Sequence, residues 1–271
     1  SDRHGVRRAV ALTESNVGAS LAAGLAPLAV GSLQRAGFGW RGALILGVLG
    51  WGALALRGRA VTIPPHTPRP PRSPATGHAA RLPAVFWAYW LVIFLSVSVE
   101  WCVIFWGADF LETSVGLRRV DASTLMSVFF AAHLLGRIVG SRLSRGAAVG
   151  PLLLAAVLVA AAGFLPFWLA SAAPLNIAGL FVAGLGIANL FPLTLSAASD
   201  IVAREQADAA SSRVTLAAGL AILITPQALG TLADQVAIKN AYTVAAIFLV
   251  VAGAAILAAN RRAGRSAVPS A

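Results

Sequence analysis

The stretch "PAVFWAYWLVIFLSVSVEWCVIFWGA", residues 83–108, decides the fold class of this chain. Among its 26 residues only Glu100 carries a charge, and the others are apolar, aromatic or small. An α-helix rises 1.5 Å per residue, so about 20 mostly apolar residues suffice to cross about 30 Å of hydrocarbon. The stretch therefore predicts a helix that spans a membrane.

The same pattern recurs along the whole chain. Of its 271 residues 58% are hydrophobic and 11% are charged, whereas a soluble domain carries about 25% charged residues. Eight apolar runs reach the length of a span: 10–33, 38–57, 83–108, 122–143, 148–170, 174–198, 210–233 and 239–259. We expect an all-α polytopic membrane protein with eight transmembrane helices in a lipid bilayer.

The basic residues indicate how the chain is oriented. Its 21 Lys and Arg exceed its 10 Asp and Glu, an excess that by itself would suit a nucleic-acid-binding protein. If the N-terminal end is cytoplasmic and each run crosses once, 16 of the 21 lie in cytoplasmic segments and 5 outside, as the positive-inside rule requires. We therefore expect a monomer in the plasma membrane, with both ends of this chain cytoplasmic and no nucleic-acid partner.

A linker divides the chain unequally. The stretch "RGRAVTIPPHTPRPPRSPATGHAAR", residues 57–81, is rich in Pro and Arg and reads as an extended cytoplasmic segment. We expect four regions: 1–58, the last two helices of an N-terminal bundle; 59–82, the linker; 83–260, a six-helix C-terminal bundle; and 261–271, a cytoplasmic tail. Because two spans precede the linker and six follow, and no Met begins the sequence, we expect a partial chain.

Several stretches carry a family resemblance. "GASLAAGLAPLAVGS" (18–32) is similar to the glycine-rich fifth helix of major facilitator superfamily transporters, and "GRIVGSRLSRG" (136–146) to the second copy of their basic loop motif. "GLGIANLFPLTLSAASD" (184–200) and "ITPQALGTLAD" (224–234) resemble their tenth and eleventh helices. The chain thus resembles helices five to twelve of that family, which implies a helix bundle that moves a small solute by alternating access. Within the family, "VSVEWCVIFWGADFL" (97–111) with "ANLFPLTL" (188–195) is most similar to the fucose-permease-like branch.

Glu100 is the first candidate functional residue. A charged carboxylate in a membrane costs roughly 2.5–3.5 kcal/mol, so such a residue faces protein or water. Helical spacing places Ser96 and Glu100 on one small-residue face of their span, which we expect to point into the bundle, and places Trp101 on a bulkier face. A proton-coupling or substrate-binding acid and a structural acid bonded between helices are both compatible with this pattern. Trp101 could stack on a sugar.

Three further polar residues lie within spans. His133 can relay protons or bind a polar substrate group, or can donate one structural hydrogen bond. Asn189 precedes Pro192, and Gln227 follows Pro226. Because proline removes an intrahelical hydrogen bond, such sites suit substrate contacts, although a polar residue there can equally hold two helices together.

Other residues fit a gate or a hinge. Arg137 and Arg142 lie near a cytoplasmic helix end, where they would pair with Asp200 in one conformation or simply anchor the helix. Small or helix-breaking residues that would permit close packing and rocking are found on three spans: Gly18, Gly24, Pro27, Gly31, Pro192 and Pro226.

The sequence lacks the common motifs of nucleotide-driven transport and of enzymes. The sequence has no phosphate-binding GxxxxGK[ST] loop, no HExxH and no GxSxG, so we expect no ATP-driven transport, cofactor, metal or enzyme activity. We predict a proton-coupled secondary transporter for sugar-like import or for drug or metabolite efflux. A non-transporting sensor or an inactive truncated fragment is the alternative. An intramembrane enzyme would need Glu100 and His133 to meet beside a nucleophile or metal.

Overall fold

The computed structural model describes residues 22, 24–59 and 82–266, apart from the side chains of 204 and 262–266. Within these residues the regular elements are all helical. They are α1 (24–35), α2 (Gly39–Gly58), α3 (Ala84–Thr113), α4 (Arg119–Leu143), α5 (Val149–Leu169), α6 (Ala173–Asp200), a 3-10 turn (Arg204–Gln206), α7 (Ala207–Val236), the one-turn α8 (Ile238–Ala241) and α9 (Thr243–Ser266).

The all-α polytopic prediction is confirmed. In the described part of the chain seven helices are long and apolar enough to cross a membrane, and they correspond to the second to eighth predicted spans. The first predicted span, 10–33, lies partly outside the described residues, as does most of the linker, so the count of eight and the region boundaries stay predictions. α3 and α9 end later than predicted, at Thr113 and Ser266.

α3 lies at the centre of the bundle, in contact with α4, α6, α7 and α9. The face predicted to point inward does so, since Tyr89, Ile93, Ser96 and Val103 are all buried. On the opposite side Phe105 is 55% exposed. α3 therefore presents its small and polar residues to other helices, as the face of a span beside protein should.

α5 and α6 form the closest helix pair. A Cβ added at Gly186 of α6 would lie 2.7 Å from both the carbonyl oxygen of Ala156 and the Cα of Ala160 on α5. Gly163 and Gly179 likewise face the backbone of the opposite helix. In lipid, where helices gain little from burying apolar surface against each other, such backbone-to-backbone packing is a main source of association.

α1 packs antiparallel along α4. A Cβ added at Gly24 would lie 3.6 Å from the Cβ of Phe130, and Gly31 faces the hydroxyl of Thr124. At the end of this contact Arg35 and Asp121 form an ion pair of 2.8 Å. Gly24 and Gly31 thus both lie against α4, and their role in packing or rocking stays a prediction. Gly18 lies outside the described residues.

The prolines do not interrupt their helices. Pro27 lies within α1, Pro192 within a continuous α6 and Pro226 within a continuous α7. Pro226 is buried, and its carbonyl oxygen accepts a hydrogen bond of 2.8 Å from the indole of Trp106 on α3. Gly230, whose Cβ would overlap that indole, leaves room for it. Pro226 is therefore fixed against α3 in this structure.

Candidate functional site

Helices α3 and α4 bring Glu100 and His133 together. Carboxylate Oε1 of Glu100 lies 3.2 Å from Nε2 of His133, and the two side chains are 16% and 10% exposed. Each residue is near the middle of its helix, Glu100 on the inward face of α3 and His133 among the buried residues of α4. Two residues that the sequence indicates separately thus form one nearly buried acid–base pair.

The contact is close but is not an aligned hydrogen bond. Although 3.2 Å is within ion-pair range, Nε2 of His133 has no partner with hydrogen-bond geometry. The two groups are thus within ion-pair distance but are not aligned for a hydrogen bond. The pair carries opposite charges only when the imidazole is protonated.

α4 carries a stripe of unsatisfied polar atoms. Four buried side-chain polar atoms of the described residues lack a hydrogen-bond partner, and three are on α4: Oγ of Ser127, Nε2 of His133 and Nε of Arg137. At 100° per residue these positions fall within an arc of about 120°. Folded proteins leave few such atoms, so the stripe is suited to a water, a proton carrier or a solute.

Ser96 and Trp101, the candidate residues near Glu100 on α3, make contacts within their own helix. The hydroxyl of Ser96 donates to the carbonyl of Ile93 in its own helix at 3.2 Å. The ring of Trp101 lies 5.7 Å from that of Phe105, in a tilted arrangement. Neither side chain is shown in contact with the Glu100–His133 pair.

The buried side-chain link between α3 and α7 involves Thr225, which flanks Pro226 as Gln227 does, rather than Gln227 itself. Ser98 and Thr225 share a buried hydrogen bond of 2.8 Å. Gln227 is exposed on α7. The sequence did not single out Ser98, because it is Ser96 that shares a helix face with Glu100. A serine on either face of a span can bond to a neighbouring helix.

Asn189 joins α6 to α4. Its Nδ2 donates to the carbonyl of Gly136 on α4 at 2.9 Å and to that of Leu185 in its own helix at 3.0 Å. Gly140 makes room for this amide, because a Cβ there would overlap it. Since both amide hydrogens of Asn189 are used, the geometry favours a role in holding two helices together over a role in contacting substrate. The GxxxG spacing of Gly136 and Gly140 is the sequence signal for this contact.

A cavity of about 850 Å³ opens between the C-terminal halves of α4 and α6 and the start of α5. Its lining includes Arg137, Arg142 and Arg145, with Asn189 and Pro192 on the α6 side. No described residue forms an ion pair with Arg137 or Arg142, and Asp200 is exposed at the end of α6 outside the lining. The proposed gate pairing is thus not formed in this structure, and it stays a prediction for another conformation.

The enzyme alternative meets one of its two requirements, since Glu100 and His133 do lie together. The second was a metal or nucleophile beside them. Among the described residues no group of three His, Cys, Asp or Glu side chains gathers as a metal site would need.

Comparisons with known proteins agree on a family. The sequence profile of the Major Facilitator Superfamily matches residues 90–271. An uncharacterized MFS-type transporter of Yersinia pestis is 27% identical over 168 residues, which cover 62% of this chain and 44% of that protein. The matched region is thus less than half of that relative's length. Neither match singles out the fucose-permease-like branch.

A solved structure shows the same fold. The crystal structure of a bacterial homolog of the human lysosomal transporter Spinster, in an inward-facing and occupied conformation, has a TM-score of 0.68 to this chain at 16% identity. The match covers 95% of this chain and 70% of that one. With its span pattern, its helix packing and the profile match together, this chain belongs to the Major Facilitator Superfamily of membrane transporters.

Proposed function

We propose that the protein is a secondary active transporter that moves a small solute by alternating access and couples this movement to protons through Glu100 and His133. The observation that carries the proposal is the 3.2 Å contact between the two side chains near the middle of α3 and α4. The solute is sugar-like if the protein imports, and a drug or metabolite if it exports.

The physical argument concerns charge in a medium of low dielectric constant. An isolated buried charge is far more expensive than a pair of opposite charges with no net charge. A proton added to or removed from either member leaves its partner without a counter-charge. Whatever else occupies the adjacent space therefore changes the proton affinity of the pair, and by linkage the proton changes the affinity for that occupant.

The stripe on α4 supports a route between the pair and the inner side. Arg137 follows His133 by four residues, about 6 Å along the helix axis, and it also lines the inner cavity. Unsatisfied polar atoms of Arg137 and His133 therefore lie between the deep end of the cavity and the pair. This route is what proton exchange with the cytoplasm requires in the orientation expected from the basic residues.

The two-bundle arrangement is part of the proposal. Helices α1 and α2 would belong to an N-terminal bundle and α3 to α9 to a C-terminal bundle, joined by the linker at 59–82. The small-residue contact of α1 with α4 supports this division. Helix α2 has no buried residue among the described helices, which leaves it free to contact lipid or further helices. A monomer in the plasma membrane with cytoplasmic ends completes the proposal.

Reconstitution tests the coupling. Full-length protein in liposomes is given an inward proton gradient, and uptake is measured over a panel of sugars and cationic dyes, with protein-free liposomes as the control. We expect one compound to accumulate above its external concentration and to leak out when a protonophore is added. Movement of a solute that stops at equal concentrations and ignores the protonophore would contradict proton coupling.

A further inference from the structure

The inner cavity has an unusual charge. Arg137, Arg142 and Arg145 all line it, and its lining contains no Asp or Glu. The ion pairs found among the described residues lie elsewhere, three near the opposite ends of the helices and the fourth between Glu100 and His133. Three guanidinium groups therefore face about 850 Å³ of space without a carboxylate partner from the described chain.

Positive charge at a cytoplasmic helix end has an ordinary explanation, because basic residues anchor that end of a span. Arg142 and Arg145 fit it, since both are exposed at the end of α4 or just beyond it. Arg137 does not fit. It lies six residues, about 9 Å, before the last residue of α4, and its Nε is buried without an acceptor. A buried guanidinium nitrogen without an acceptor is destabilising, so an acceptor from outside the described chain is expected.

The remaining polar groups around the cavity also suit an anion. Ser141, Ser144 and Ser196 line it, and it reaches Val149, the first residue of α5. The hydroxyl of Ser144 donates to the carbonyl of Ser141 at 3.1 Å, so Ser141 and Ser196 supply the hydroxyl donors. Hydroxyls can donate to an anion, and the free N–H groups of a helix start favour negative charge. A planar guanidinium binds two oxygens of a phosphate or carboxylate at once. The set is rich in donors and lacks carboxylates, which is the chemistry of an oxyanion site.

We propose that this cavity binds an oxyanion, above all a phosphate group, with Arg137 at its inner end and Arg142 and Arg145 at its mouth. The phosphate belongs either to a soluble phosphorylated compound or to the headgroup of an anionic phospholipid. The recognition chemistry is the same in both. The site does not depend on proton coupling through Glu100, so it stands or falls separately from the proposed function.

Binding measurements on purified full-length protein distinguish the two sources. In nanodiscs of phosphatidylcholine, the unfolding temperature is followed against inorganic phosphate at constant ionic strength, with chloride as the reference anion. In a second set of nanodiscs containing phosphatidylglycerol, native mass spectrometry counts the anionic lipids that stay bound. We expect a saturable response in at least one arm, and the arm that responds identifies the source.

Matched charge changes test the residues. Arg137→Gln is expected to weaken the response about tenfold, as loss of one charge-assisted bidentate contact does. Arg213→Gln removes the same charge from an exposed position on α7 outside the cavity, and it should leave binding unchanged. If Arg137→Gln does not fold, Arg145→Gln, at an exposed position, replaces it. Absence of a saturable response in both arms, or equal weakening by Arg213→Gln and by the cavity variant, would overturn the proposal.

Discussion

The carboxylate of Glu100 and the imidazole of His133 lie 3.2 Å apart, with side chains that are 16% and 10% exposed. Neither Glu100 nor His133 has a second ion-pair or hydrogen-bond partner among the described residues, and the other ring beside His133 is the apolar ring of Phe129 at 5.8 Å. Removal of one member of the pair therefore leaves the other without a polar partner in a mostly apolar bundle. The energetic value of the contact is therefore best measured as a coupling between the two residues rather than by either substitution alone.

A double-mutant cycle measures that coupling. Glu100→Gln, His133→Ala and the double variant are compared with the unmodified protein by thermal or denaturant unfolding in detergent. We expect the double variant to be less destabilised than the sum of the single variants, with a coupling on the order of 1 kcal/mol. Strictly additive effects would mean that the two side chains are neighbours without a significant interaction.

The sequence identifies Glu100 and His133 as separate candidates, but it does not predict that they are in contact. Each is recognisable alone, because an ionisable residue inside a span is unusual. Their contact depends on how α3 and α4 are rotated against each other, which small residues such as Gly107 set: a Cβ there would lie 2.8 Å from the sulfur of Met126 on α4. That fit between facing side chains is not visible in the periodicity of either span.

At the level of helices, close packing by glycine is the dominant feature. The α5–α6 contact depends on Gly163, Gly179 and Gly186, which all face the backbone of the opposite helix. In the α4–α6 contact Gly136 faces the backbone of Leu185, whereas Gly140 makes room for the side-chain amide of Asn189. These contacts hold the C-terminal halves of α4 and α6 in the arrangement that shapes the cavity.

A pair of glycine substitutions tests this packing. Gly186→Ala would place a methyl group 2.7 Å from the backbone of α5, and we expect it to lower the free energy of unfolding by about 1–3 kcal/mol, the range for overpacking. Gly47→Ala on α2 has nothing within 4 Å and should stabilise by about 0.5–1 kcal/mol through helix propensity. Unfolding titrations of both variants provide the comparison. Equal effects would show that α5 and α6 adjust to the added methyl.

The helices themselves were largely predictable, and their contacts were less so. Spans such as 38–57 and 148–170 agree with α2 and α5 to within one residue at each end, because the length of an apolar run follows directly from bilayer thickness. α3 runs on to Thr113 past Asp109 and Glu112, since polar residues at a membrane surface do not end a helix. Gly24 and Gly31, which the sequence singled out on α1, do contact α4. The glycines of α5 and α6 could not be singled out in the same way, because nothing in the sequence beyond their small size indicates which helix they face.

At the scale of the whole molecule, one ion pair joins α1 to α4 within the residues that the structure describes. Arg35 at the end of α1 forms an ion pair of 2.8 Å with Asp121 at the start of α4. Arg118, which directly precedes α4, forms a second ion pair of 2.7 Å with the same carboxylate. If α1 and α4 belong to different bundles, as proposed, the first of these pairs opposes separation of the bundles on the outer side.

Cysteine labelling tests this role. With Cys102→Ser as background, Thr124→Cys beside Gly31 is labelled from outside by a membrane-impermeant maleimide. Arg35→Gln should raise the labelling rate about two- to fivefold, because an exposed ion pair contributes only modestly to holding two helices together. Arg118→Gln removes the other partner of the same carboxylate and should leave the rate unchanged. Equal rates in the two variants would show that the Arg35–Asp121 pair does not hold the helices together.

The central claim is that Glu100 and His133 couple solute movement to protons, and Glu100→Gln in proteoliposomes tests it most directly. Uptake driven by a proton gradient and exchange of labelled for unlabelled solute at equal pH are measured with the same protein and the solute found by the panel. We predict that the variant loses accumulation but retains exchange, since the amide keeps the shape of the side chain without its titration. Accumulation equal to that of the unmodified protein would contradict the claim and make Glu100 a structural acid.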